Sequence, residues 1–244
     1  MGPDPIHPRV FKQHATAVVL ILSVICNKSL HSGEAPEDWR KANVAPIFKK
    51  GECYKAENYR PTSLTCIASK IMEHIVTKHI MKYLECNNIL YKLQHGFRAK
   101  RSTQTQLLTF VQDLYKNLRD KKQTDVIVMD FVKAFDKVPH KKLIRKLREY
   151  GINSSIKQWI ESFLHQRQQR VVWDGKVSSW VPVTSGVPQG SVIGPILFLV
   201  YINDLPAKLQ SKVRLFADDT IVYMAVTNKT SAAIFQKDLK LLEE

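Results

Sequence analysis

The runs DVIVMD (residues 125–130) and VRLFADDTIVYM (residues 213–224) constrain the fold more than any other part of the chain. Each is short, apolar and rich in β-branched residues, the pattern of a strand rather than a helix. The first ends in Asp130, and the second carries Asp218 and Asp219 between two apolar halves, Val213 to Ala217 and Thr220 to Met224. Those halves read as the strands of a hairpin, and aspartate is common in turns, so the plain reading is that the pair only bends the chain. A second reading comes from pairing. If the hairpin lies beside the Asp130 strand, three carboxylates meet at one sheet end. Carboxylates so placed repel, and a divalent cation with oxygen ligands removes the conflict. Two such ions activate an attacking oxygen and stabilise a leaving one, which is what nucleotidyl transfer requires.

The rest of the sequence predicts helices around these strands. SLTCIASKIMEHIVTKHIMKYL puts Ile67, Ile71 and Ile75 at i, i+4 spacing, with Met72, Val76, Ile80 and Leu84 on the adjoining row. In RSTQTQLLTFVQDLYKNL, Leu107, Val111, Leu114 and Leu118 form an apolar face behind Ser102, a candidate N-cap. HKKLIRKLREYG and SSIKQWIESFL predict two further helices, the first stopped by Gly151, the second burying Ile156, Trp159, Ile160 and Phe163. QRVVWDGKVSSWVPV predicts a hairpin around Asp174-Gly175, SGVPQGS a loop, VIGPILFLVYIND an apolar helix with Pro195 near its start, and TSAAIFQKDLKLLEE a last helix. Helices flanking a few strands, partly joined as hairpins, make the class α+β.

Charge and cysteine usage bear on partners. Lys plus Arg is 37 and Asp plus Glu 22, a net charge of +15, an excess that suits a polyanion such as nucleic acid. The 44% hydrophobic content argues for neither disorder nor a membrane protein. Cys26, Cys53, Cys66 and Cys86 lack the spacing of a zinc site and read as reduced thiols of an intracellular protein. TAVVLILSVIC, residues 16–26, follows Arg9 and Lys12 like a signal core, but it is too short to span a membrane and lacks a cleavage site. It is expected to be a buried helix, and no membrane partner is expected.

VIVMDFVKAFDKVPH, SGVPQGSVIGPILFLVYINDLP and RLFADDTIVY resemble, in that order, the three core palm motifs of reverse transcriptases. Upstream, PEDWRKANVAPIFKKGE, NYRPTSLTCIASKIMEHIV and QHGFRAKRST resemble the fingers blocks of the LINE-type, non-LTR retrotransposon enzymes. The resemblance covers nearly the whole chain from about Pro3. It implies a right-hand polymerase architecture, fingers and palm, with a small antiparallel palm sheet flanked by helices. Residues 1–124 correspond to the fingers region and 125–244 to the palm, which includes a helical and hairpin segment at 140–185. The implied activity is RNA-directed DNA polymerisation, joining dNTPs to a DNA primer on an RNA template, with two Mg²⁺ ions as cofactors.

The resemblance also implies residue roles. Asp130 and Asp218 hold metal with the backbone carbonyl of Phe131, and Asp219 supports the site near the primer end. Phe135 occupies the steric-gate position, where a ring under the sugar excludes a 2′-hydroxyl and disfavours RNA synthesis. Gln189 and Gly190 touch the incoming nucleotide and template base. Lys49 or Lys50 and Arg60 fall where the fingers carry cations for the triphosphate, although FKKG reads equally as an exposed turn. Phe216, Ala217 and Arg98 fall on the nucleic-acid side; Arg98 has a second reading, pairing with an acid. Asp136 is expected to be structural, bonding nearby backbone. The basic helix from Lys141 to Arg148 and the segment HQRQQR either track a nucleic-acid backbone or are solvated faces. A nuclear location is expected by resemblance.

Two departures stand out. Pro5 stands where the family usually has glycine. The pattern of the palm continues beyond this sequence, and neither a thumb nor an endonuclease domain is present in it, so weak template binding and poor processivity are expected. The alternative is a catalytically inactive, truncated retroelement remnant that retains at most nucleic-acid binding.

Overall fold

The structure, a computed structural model, describes residues 2–4, 6–152 and 155–243; Pro5 and Ser154 lie outside the described residues. In chain order the elements are α1 (Pro8–Gln13), α2 (Ala15–Ser32), β1 (Lys41–Phe48), β2 (Tyr59–Leu64), α3 (Ile67–Cys86), α4 (Thr103–Arg119), β3 (Gln123–Met129) and α5 (His140–Glu149). They continue as α6 (Ser155–Leu164), β4 (Gln168–Trp173), β5 (Lys176–Val177), β6 (Val181–Pro182), α7 (Gly194–Ile202), β7 (Lys212–Phe216), β8 (Asp219–Val226) and α8 (Lys229–Glu243). Two compact units form, each from two separate stretches. The first takes residues 1–83 and 135–197, the second 84–134 and 198–244.

The first unit contains a sheet ordered β2-β1-β4-β5, with β6 also on β4. β1 and β2 are strands where the sequence predicts mainly helices. They pair antiparallel, with Pro46 opposite Pro61, and β1 pairs parallel with β4. Prolines lower strand propensity, and the partner that completes the sheet arrives more than a hundred residues later, so local sequence does not reveal these strands. The Asp174-Gly175 turn forms as predicted, both residues at positive φ (47° and 72°). α5 buries Leu143 and Leu147, and α6 buries Trp159, Ile160 and Phe163. Trp159 stacks on Phe163 and donates its indole N–H to Ser29 of α2.

Several expectations for this unit change. α2 is a helix, but it is not buried: only Cys26 and Ser29 are, while Val19, Leu20, Ile21 and Val24 are exposed. It is also longer than the sequence run suggested, and by length and composition it could cross a membrane. The segment HQRQQR becomes strand β4 and the turn before it. Its Arg167 is buried, over the Phe163 ring at 4.5 Å, donating to the carbonyls of Trp39 and Phe163. Burial pulls the Arg167 pKa down to about 10. That guanidinium supports the core and cannot track a nucleic-acid backbone. Of the two apolar rows on α3, Met72, Val76, Ile80 and Leu84 form the buried one, and Ile75 is exposed.

The second unit is built on a three-stranded antiparallel sheet ordered β3-β8-β7. Val213, Leu215, Val222 and Phe235 of α8 form its core, with Ile127 and Met129 of β3 packed against them. β3 is therefore an edge strand with one face inward, although its apolar β-branched run reads as a buried strand; Val126 and Val128 are exposed. α4 starts with a capping box between Ser102 and Thr105, as Ser102 suggests. Its predicted apolar face is the exposed one: Leu107, Val111 and Leu118 face outward. The inward face sets Phe110 edge-on against Tyr223 and is otherwise largely polar, because it bonds the sheet. Gln106 donates to the carbonyls of Leu93 and Leu215, Asn117 donates to Thr124, and Thr109 and Asp113 accept from Arg214 of β7.

Candidate active site

The acids belong to the second unit. The antiparallel register of β3 on β8 pairs Met129 with Thr220. Continued by one residue, it sets Asp130 opposite Asp219. On the other side of β8, Phe216 pairs with Asp219, so the two-residue turn is Ala217-Asp218. The hairpin forms as predicted with its tip one residue earlier: Asp219 is the first residue of β8. Ala217 has φ of +56°, and Asp218 has a negative φ. A tight turn with only its first central residue at positive φ favours glycine there. An alanine in that conformation costs roughly 1–3 kcal/mol, and it persists only when its surroundings hold it.

Those surroundings are specific. Gln94, which is buried, accepts the Ala217 N–H at 2.9 Å and donates to the Ala217 carbonyl at 3.3 Å. Gly96 permits the close approach, because a Cβ there would lie 2.2 Å from the Ala217 nitrogen. The segment is fixed to β7 by the Leu215 N–H on the Leu93 carbonyl and the His95 N–H on the Leu215 carbonyl. Arg98 makes two bonds to the Glu85 carboxylate, at 2.7 and 2.6 Å, and donates to the carbonyls of Tyr91 and Gln94. Its side chain is 6% exposed. Of the two readings of Arg98, pairing with an acid is the one the structure displays, and the guanidinium holds the Glu85 carboxyl below its ordinary range.

Asp130 and Asp219 are exposed and Asp218 is half-buried. Their oxygens are of the donor type a hard cation takes, free of sulfur and imidazole. The register gathers the acids at one sheet end. Among the described residues, however, no group of three or more His, Cys, Asp or Glu side chains is arranged to hold a metal ion by itself. One or two carboxylates completed by a substrate's phosphates is the usual way Mg²⁺ is bound. The residues present therefore fit such an ion with further oxygens supplied from outside the chain.

The remaining predicted residues belong to the first unit. Gln189 donates to the Asp136 carboxylate at 3.0 Å, so Asp136 is structural as expected, though its side-chain partner is an amide side chain. The Ser63 N–H donates to the Gln189 carbonyl, and the Val187 N–H to the Phe135 carbonyl. Gly190 has φ of +97°, and a Cβ on it would meet the Ser63 carbonyl at 2.6 Å. The loop carrying Gln189 and Gly190 is thus wedged between β2 and the Phe135 turn. Lys49, just past β1, donates its N–H to the Asn58 carbonyl, and Arg60 of β2 pairs with Ile47. Lys49, Lys50 and Arg60 are exposed at this end of the β1–β2 pair.

Sequence reasoning missed two side chains here. Gln94 is one. Glu73 is the other: it is buried on α3 and accepts the N–H groups of Val192 and Ile193, fixing the loop ahead of α7. Burial pushes its carboxyl above the ordinary range. The available signal was an acid beside the apolar row of Met72 and Val76.

Comparison with known proteins agrees with this geometry. The family model for reverse transcriptase (RNA-dependent DNA polymerase) matches residues 47–244. The RNA-directed DNA polymerase from mobile element jockey of Drosophila melanogaster is 30% identical over 230 residues, covering 91% of this chain and 25% of that protein. Its counterpart in Drosophila funebris is 30% identical over 246 residues, covering 97% of this chain and 26% of that protein. The chain spans about a quarter of the length of these curated relatives. Among solved structures, telomerase from Candida tropicalis superposes with a TM-score of 0.59 at 15% identity, over 84% of this chain and 47% of that one. Telomerase from Candida albicans gives 0.60 at 10% identity, over 86% and 42%. These likenesses establish a right-hand polymerase fold. With a hairpin that carries paired acids against an acid-ended strand, and with relatives from mobile elements, the chain belongs to the reverse transcriptase (RNA-dependent DNA polymerase) family.

Proposed function

We propose that this chain is the catalytic part of an RNA-directed DNA polymerase, joining deoxynucleotides from dNTPs to a DNA primer 3′-end on an RNA template. The observation that supports it is the β3–β8 register, which leads to Asp130 opposite Asp219 where the β7–β8 turn carries Asp218. Reverse transcriptases generally use divalent cations. We assign two Mg²⁺ ions here, to be held by Asp130, Asp218 and the Phe131 carbonyl. When bound, such ions supply Lewis acidity at the attacking 3′-hydroxyl and at the departing pyrophosphate.

The chain's own groups have separate tasks. Asp219 steadies the primer end beside the turn, and Phe216 and Ala217 border the nucleic acid there. The Phe135 ring excludes a 2′-hydroxyl from the sugar. Gln189, oriented by Asp136, and Gly190 present the loop to the incoming nucleotide. Lys49, Lys50 and Arg60 are fixed positive charges for the triphosphate, favourable because they need no rearrangement as charge develops. A net charge of +15 suits an RNA–DNA hybrid as partner. By role, residues 1–124 are fingers and 125–244 palm, and the site of action is nuclear.

Primer extension by the purified chain on primed RNA, with dNTPs and Mg²⁺, tests this. Asp218→Asn is expected to slow extension about a thousandfold, roughly 4 kcal/mol of transition-state stabilisation, with an unchanged melting temperature. Unchanged extension refutes the assignment. A wild-type chain that binds primed RNA in a salt-dependent way yet extends nothing leaves binding alone as the function.

A further inference from the structure

The geometry points to Gln94 as the residue that positions Asp218, by holding both polar groups of the neighbouring Ala217. This rests on the reading of Asp218 as a cation ligand. Both ends of the Gln94 amide are engaged. Its Oε1 accepts two N–H groups, from Ala217 at 2.9 Å and from Gly96 at 2.8 Å, and its Nε2 faces the Ala217 carbonyl at 3.3 Å. Two donors on one side and an acceptor on the other fix the amide orientation unambiguously. Held at both N–H and C=O, Ala217 keeps its positive φ, and that dihedral aims the next residue, Asp218.

Gln94 is itself held from three directions. Its carbonyl accepts from Arg98, the ion pair of Arg98 with Glu85 anchors that guanidinium, and the residues on either side of Gln94 are laced to Leu215 of β7. Gln106 of α4 adds bonds to the Leu93 and Leu215 carbonyls. Three members of the block QHGFRAKRST therefore converge on one turn. Gln94 grips it, Gly96 leaves room for it, and Arg98 steadies the grip. Because the clamp acts on backbone, it fixes the turn without touching substrate, which makes Gln94 a positioning residue.

Residue-resolved amide hydrogen exchange on the intact chain tests this without nucleic acid. Gln94→Met keeps the length of the side chain and removes all three bonds. The Ala217 amide is expected to exchange at least about tenfold faster, while the Leu215 and Val222 amides of the flanking strands stay within about threefold of wild type. Gln94→Glu retains the acceptor and is expected to restore most of the Ala217 protection. Wild-type protection at Ala217 in Gln94→Met, or equal acceleration at Leu215 and Val222, overturns the proposal. A second readout is Mn²⁺ affinity measured by calorimetry. A tenfold or greater weakening in Gln94→Met supports the aim on Asp218, and unchanged affinity with lost protection refutes it. Primer extension reports separately on the polymerase reading: a wild-type chain that fails to extend refutes that reading and leaves the exchange comparison standing.

Discussion

At Phe135 the proposed gate makes a quantitative demand. The residue's backbone carbonyl takes the Val187 N–H, a bond that a smaller side chain preserves. Phe135→Val is therefore expected to keep the loop in place while opening space under the sugar. The ratio of kcat/KM for dCTP over CTP should fall at least about tenfold, or roughly 1.4 kcal/mol of discrimination. An unchanged ratio would show that the ring only packs. At this scale the acids were readable in sequence because they interrupt β-branched runs, where acids are depleted unless they have a task. Gln94 was unreadable: its partner Ala217 lies 123 positions away, and glutamine carries no strong positional preference to betray it. Arg98 was half-readable. A cation in a basic segment suggests phosphate, and only the fold brings Glu85 beside it.

Between α4 and the sheet, polar contacts occupy much of the place where apolar ones were expected, beside the Phe110–Tyr223 ring contact. Arg214 of β7 is buried, donates to Tyr223 and Asp113, and lies against the Thr109 hydroxyl. Desolvation pushes the Asp113 carboxyl up, but the Tyr223 hydroxyl, the Arg214 guanidinium and Lys212 together outweigh it and bring the pKa below its ordinary value. Burial and the Asp113 bond carry the Tyr223 phenol up to about 12. A carboxyl depressed in the folded state contributes stability above its unfolded pKa, about 3.9, and loses that contribution as pH falls through the folded value. Asp113→Asn should cost about 2–4 kcal/mol at neutral pH, since it leaves a buried arginine short of its counter-charge. Urea midpoints at neutral pH and near pH 3 check this, with the gap between variant and wild type closing at the acidic end. Helical periodicity revealed that α4 exists and where it starts, but not which face turns inward. A polar face can be the buried one when it bonds the sheet, as Gln106 through its Nε2, Thr109, Asp113 and Asn117 do, and that depends on residues outside α4. The α5 and α6 helices were read correctly because their inward faces are apolar.

The whole molecule is threaded so that neither compact unit is a continuous stretch of chain, each being completed by a return after the other has begun. Class and architecture were nonetheless readable, since the alternation of helical and strand periods survives interruption. What escaped was the long-range pairing of β1 with β4. The threading also bears on time. On a ribosome, β3 and Asp130 emerge early, and β8, to which β3 pairs, follows roughly ninety residues later, some 5–20 s at ordinary synthesis rates. During that interval an apolar edge strand has no neighbour, and such edges are templates for wrong pairing. Stalled nascent chains ending before Asp219 should remain open to limited proteolysis between Leu84 and Ala134, and those in which Val226 has emerged should resist it. Protection before β8 emerges would mean that the second unit finds its fold without its central strand. Synthesis order, then, leaves Asp130 waiting for its partner strand, and because β8 begins at Asp219 the acid end of the β3–β8 pair is the first part of that strand to arrive.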